Sequence, residues 1–278
     1  MLDIQEWPRL HDPVMLVALT GWVDGGLAGS GALAAVAEQL DDGRPLGVID
    51  LSELVDLQQT RPTVSLHDGV TRQIEWPRVD LVVGHAGRDL VLVAGPEPSI
   101  RWQAFTDELV GLARRLEVKM TICLGGMPAA VSHRRPFTTL STATARSVAQ
   151  EVGGVLRADY VGPTGAQTVL QVALGKAGIP CVGLWAQVPH YVAGTPSPPA
   201  VRSLLERVRE IAGVEIDLRS LDAQSDEYLE KVESGLEERP DVADLIRQLE
   251  GQTDPSELPS GDDLAREIER FLRDERSG

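Results

Sequence analysis

The chain has 278 residues, 42% hydrophobic and 24% charged, enough for one large domain or for a domain with an appendage. Its formal net charge of -16 speaks against nucleic acid and anionic lipid as partners, because phosphates are bound by Lys and Arg. No apolar run approaches the roughly 20 residues of a bilayer span. The N-terminal MLDIQEWPRLHDP has no basic-then-apolar signal pattern, so a cytoplasmic protein is expected.

Taken in chain order, short β-rich runs alternate with longer helical patterns, which predicts an α/β fold with a mixed, largely parallel sheet flanked by helices. Residues 14–19 (VMLVAL) form a continuous apolar run that fits a buried strand. A Gly-rich turn leads from it into a helical pattern over 27–40. Residues 46–51 read as the next strand. Hairpin signals stand at His67-Asp68-Gly69 and Ala86-Gly87, the second joining strands at 79–84 and 89–94. An amphipathic helix is predicted over 101–116 and a strand over 120–124. GGMPAAVSHRRPFTT then reads as a long loop, followed by a helix over 141–152 that Ser141 or Thr142 could cap. GPTG (162–165) opens a helix over 166–177, ended by Gly178, and a strand follows over 182–186, ending near Trp185. From Pro199 onward only helices are expected, at 200–212, 221–236, 241–249 and 262–273, with a polar linker over 251–263. Residues 201–278 carry 22 acidic against 11 basic side chains. Two units are expected on that shift: a core domain over 1–200 and an acidic helical subdomain over 201–278.

Glycine collects where strands hand over to helices: Gly21, Gly25 and Gly26 around Asp24, Gly125 and Gly126 before Met127-Pro128, and Gly162-Pro163-Thr164-Gly165. Such turns point backbone N–H groups along the positive end of a helix and suit a small anion at the carboxyl edge of a sheet. The same glycines serve equally for tight turns and close packing. Neither a Gly-Lys-Ser/Thr phosphate loop nor a G-x-G-x-x-G fingerprint is present, and no cofactor is expected.

Groups able to move protons are few. Asp24 can cap the following helix or hold a ligand hydroxyl. Glu97, fixed between two prolines, can pair with Arg101, or Arg101 can reach an anion with Trp102 offering a flat surface. His133 and Arg135 lie in the most basic spot of the front part. His190 and Tyr191 follow the strand that holds Trp185, and Pro189 and the PSPP run hold that segment rigid. No G-x-S-x-G, no H-E-x-x-H and no acidic cluster for Mg²⁺ appears, so no catalytic set assembles and no metal is expected. Cys123 and Cys181 sit in apolar runs and read as buried free thiols.

GWVDGG, GPEPSIRW, GGMPA with HRRP after it, GPTGAQTVLQ and GLWAQVPHY with PSPPA occur in this order. Together they resemble the proteasome assembly chaperone two family, in its actinobacterial branch, over about residues 14–200. The resemblance implies an α/β domain like that of nucleoside phosphorylases and hydrolases, homo-oligomers, and kinship with chaperones that help build proteasome α-rings. It brings no catalytic residues. Archaeal relatives end in a hydrophobic residue, a tyrosine and one further residue, a tail that docks on the proteasome. This chain ends Arg276-Ser277-Gly278, which counts against that docking mode. The expected function is a non-catalytic, chaperone-like protein that contacts protein partners. The alternative is an enzyme or sensor binding a nucleoside, nucleotide or small anion at the Gly-rich turns; a ligase of the ATP-grasp kind would need lysines over a nucleotide, and Lys119, Lys176 and Lys231 lie in or beside helical patterns instead.

Overall fold

In a computed structural model, which describes residues 2–156, 159–236, 246–247 and 249–250, the chain is a three-layer α/β/α structure. The strands are β1 (Leu2–Asp3), β2 (Val14–Thr20), β3 (Asp41–Asp50), β4 (Thr63–His67), β5 (Val70–Glu75), β6 (Arg78–His85), β7 (Asp89–Pro96), β8 (Met120–Ala129), β9 (Thr139–Ala143) and β10 (Cys181–Pro189). The helices are α1 (Ala28–Ala37), α2 (Trp102–Arg115), α3 (Arg146–Val152), α4 (Ala166–Lys176), α5 (Pro198–Ala212) and α6 (Arg219–Leu236). Eight strands form one sheet in the order β1-β3-β6-β7-β2-β8-β10-β9, and β4 and β5 make a separate hairpin. The four inner strands β7, β2, β8 and β10 are parallel, and the flanking pairs are antiparallel.

Alternation along the strands splits the core in two. Val14, Leu16 and Ala18 of β2 face α1 and α5, while Met15, Val17 and Leu19 face α2 and α4. Both sets are almost wholly buried, which is why VMLVAL reads as one apolar run. α5, which straddles residue 200, contributes Leu204, Leu205 and Val208 to the first core, and α6 packs on α5.

Three elements depart from expectation. β8 runs on through Gly125-Gly126-Met127-Pro128 to Ala129, because parallel pairing with β10 continues as far as Pro189↔Ala129. GGMP is therefore strand, and β10 extends four residues past Trp185. The helix expected over 141–152 does not begin at 141: Thr139–Ala143 is β9, an edge strand antiparallel to β10, and α3 begins only at Arg146 after Ala145. Ser141 and Thr142 accordingly lie in a strand and cap nothing. Thr139, Thr142 and Thr144 are β-branched and favour that state. The expected helix at 262–273 and the linker at 251–263 lie outside the described residues, and so does most of the helix at 241–249.

Candidate functional site

The parallel strands end at one edge, where the loops after β2, β7, β8 and β10 meet. The 21–27 turn is the hub. Gly126 N–H donates to Val23 O at 2.8 Å, Gly26 N–H donates to Ala193 O at 2.7 Å, and Ser197 N–H donates to Gly26 O at 2.8 Å. Close approach explains the glycines of β8: a Cβ on Gly126 would lie 2.0 Å from Gly25 O, and one on Gly125 2.4 Å from Val23 O. No side chain fits there.

Asp24 is buried at 5% exposure, and its carboxylate accepts the Gly29 and Ser30 N–H groups at 2.8 and 3.1 Å and the Ser30 hydroxyl at 2.6 Å. It therefore satisfies the first turn of α1. Glu97 does the same for the GPTG turn: its Oε1 accepts the Ala166 N–H at 2.5 Å, and the Trp22 N–H also donates to this carboxylate. Burial pushes both carboxyls above their ordinary values against the pull of those bonds. The N–H groups at the first turns of α1 and α4 thus already face carboxylates of the protein itself. The Glu97–Arg101 pair does not form. Arg101 stands at φ 56 before α2 and reaches Glu53 at 3.5 Å, exposed, while Trp102 Nε1–H donates to Pro98 O.

The remaining candidates divide between the two faces of the sheet. On the α4 face, Met127, Pro128, Pro163, Thr164, Gly165 and Trp185 line a cavity of about 680 Å³. Trp22, Tyr160 and Gln171, none singled out from sequence, line it too. Gly162 lies beside it under the Tyr160 ring, whose hydroxyl donates to Pro163 O at 2.8 Å. Trp185 Nε1–H donates to Thr142 Oγ1 at 3.1 Å, and Thr142 donates to Gln171 Oε1 at 3.2 Å.

On the other face, His133 is 2% exposed and wedged against α6. Its backbone N–H donates to the Tyr191 hydroxyl at 2.9 Å, and its Nδ1 lies 2.7 Å from the same oxygen. Its Nε2 lies 3.1 Å from Glu233 Oε1. The arrangement fits a neutral ring with the proton on Nε2, the tyrosine donating to Nδ1. Burial, the largest influence, holds the His133 pKa below its usual value. Arg134 forks onto Glu233 at 2.6 and 3.0 Å and holds that carboxyl down to about 2. Arg135 donates to Glu250 O at 2.6 Å. His190 meets Ala129 O at 3.2 Å and stacks edge-on against Tyr191. A cleft of about 920 Å³ lies between this loop, α5 and α6. Trp185 and the His190-Tyr191 pair, neighbours in sequence, therefore serve different surfaces, because the chain crosses the sheet edge between them.

Glu233 was legible only as part of an acidic tail. Gln167 and Gln171 were marked by being polar one turn apart on an otherwise apolar helix face. Gln167, fully buried, accepts from Leu19 N–H and donates to Leu124 O, both at 3.1 Å, stitching α4 to β2 and β8. Both cysteines are buried and free. Among the described residues no group of three His, Cys, Asp or Glu side chains is placed to hold a metal, and no helix is long and apolar enough to cross a membrane.

The chain is similar to a PAC2 family protein from Streptomyces avermitilis, with 37% identity and a TM-score of 0.75 over 80% of this chain and 95% of that one. It is also similar to a proteasome-assembly chaperone homologue from Mycobacterium tuberculosis, with 35% identity and a TM-score of 0.77 over 84% and 99%. An archaeal proteasome activator from Pyrococcus furiosus shares the fold at 18% identity and a TM-score of 0.66, over 84% and 97%. No curated protein matches the chain. The sequence pattern of the PAC2 family matches residues 18–235, and this chain belongs to the PAC2 family.

Proposed function

We propose that this protein is a homo-oligomeric, chaperone-like member of its family that works through protein contacts and not through catalysis. The observation that carries the reading is the β4–β5 hairpin. It stands outside the main sheet, and Val64, Leu66 and Ile74 share one of its faces at 51%, 63% and 51% exposure, Val64 directly opposite Ile74. An isolated two-stranded hairpin is marginal in water, and a bare apolar face on one suits burial against a partner. The description of the mycobacterial relative as a proteasome-assembly chaperone homologue supports protein subunits as those partners. Cytoplasmic residence is part of the same proposal.

The alternative, a nucleotide or small anion at the Gly-rich turns, is less favoured, since Asp24 and Glu97 already accept from the N–H groups such a ligand would use. The test is light scattering on the wild type and on a double variant, Leu66→Lys with Ile74→Lys. Both side chains are exposed, so folding is retained. The wild type is expected to be oligomeric and the variant to have a lower mass. A monomeric wild type, or an unchanged mass in the variant, overturns the reading.

A further inference from the structure

The 680 Å³ cavity on the α4 face has the size of a small-molecule site, and its walls are chiefly apolar: Trp22, Met127, Leu140, Trp185 and Val172 among them. Two features of its lining are unresolved by the protein itself. Gln171 is 6% exposed, and its Nε2 is buried with no hydrogen-bond partner. In the structure Thr142 accepts from the Trp185 indole N–H and donates to Gln171 Oε1, and the amide N–H₂ is left over. A buried donor without an acceptor is costly in a folded protein and uncommon. The last torsion of a glutamine is soft, so a small turn presents this donor to an oxygen in the cavity.

The second feature is charge. Among the described residues, Lys176 alone of those lining the cavity is charged, and no described acidic side chain pairs with it. A chain of net charge -16 thus places a cation without a described acidic partner beside an apolar pocket. The protein's own anion donors there are already taken: the Ala166 N–H at the Gly165 end is bonded to Glu97, whose carboxylate also stands against a ligand of high charge. A phosphate, which needs many donors, fits poorly. A single carboxylate needs less.

We infer that this cavity binds a small apolar carboxylate, its aliphatic or aromatic body against Trp22, Met127 and Trp185, its head group balanced by Lys176, with Gln171 donating to a ligand oxygen. This stands apart from the hairpin contact and does not depend on it. A site of this kind would let the protein sense an acyl or aryl acid, with the ligand covering the floor beside β10.

The test uses decanoate as probe and 1-decanol as the neutral control, read by tryptophan fluorescence and by thermal shift on the full chain. Saturable decanoate binding is expected, with a rise in Tm, and weaker binding of decanol. Lys176→Glu, at an exposed position, should weaken decanoate roughly tenfold, the scale of one hydrogen bond to a charged group, and leave decanol nearly unchanged. Val172→Trp, at a half-exposed wall position, should narrow the cavity and weaken both ligands. Absence of saturable decanoate binding overturns the inference. So does decanol binding as tightly as decanoate, or decanoate binding left unchanged by both substitutions.

Discussion

Replacing Glu97 by alanine tests the idea that the protein fills its own anion sites. The change leaves the Ala166 and Trp22 N–H groups without their acceptor, the first of them on a residue with no exposed surface. Hydrogen bonds to a charged partner contribute about 1.5–3 kcal/mol each. Burial opposes ionisation of this carboxyl, so part of that gain is offset. A net loss of about 2–3 kcal/mol is expected, or roughly 5–10 °C in Tm at about 2–4 °C per kcal/mol. Glu97→Gln keeps a neutral acceptor and should lose less than half as much. The pH dependence has a definite sign. A carboxyl whose folded pKa is raised stabilises most when protonated, and that contribution is lost as pH rises through the folded pKa. The gap between wild type and Glu97→Ala should therefore widen on acidification from neutral pH towards about 4.5, just above the ordinary carboxyl range. Thermal melts across that window measure it. A Tm change below about 1 °C, or a gap that narrows in acid, refutes the reasoning.

Gly126→Ala forces a methyl group against Gly25 O and Ala28 Cβ, so a loss of about 1–3 kcal/mol by chemical denaturation is expected, whereas Gly111→Ala, where nothing lies near, should be neutral or stabilising. His133 has a lowered folded pKa and faces Tyr191, Glu233, Arg134 and Glu250. Its contribution is thus present above the unfolded histidine value and lost as pH falls from about 6.5 through the folded pKa. Wild-type melts should show that loss and His133→Gln melts should not; parallel curves would mean that folding leaves the His133 pKa at its unfolded value, which would overturn the reading.

Much of this architecture was written in simple patterns. Residues 14–19 are apolar throughout because both faces of β2 are covered, and the two hairpins were marked by Asp68-Gly69 and Ala86-Gly87. What misled was composition overriding pairing. Gly125, Gly126 and Pro128 look like a loop, yet β10 pairs alongside them on one side and the 21–25 turn approaches on the other. Residues 141–143 read as part of the helical pattern that follows them, although Thr142 favours a strand, and it is pairing with β10 that makes them one. The site was legible by residue type and not by grouping. Asp24 and Glu97 were named, but Glu97 satisfies the Ala166 N–H, 69 positions away, and the still more distant Trp22 N–H. Trp185 and Tyr191, six apart in sequence, end on opposite faces because the strand between them runs to Pro189.

The central claim, that the protein acts through contacts between subunits, is tested most directly by hydrogen exchange of the β4 and β5 amides at several protein concentrations. A hairpin alone in water opens readily and exchanges fast. The account predicts slow exchange at high concentration, becoming fast on dilution as the apolar face of Val64, Leu66 and Ile74 is uncovered. Fast exchange at every concentration, with the main sheet protected throughout, would contradict it.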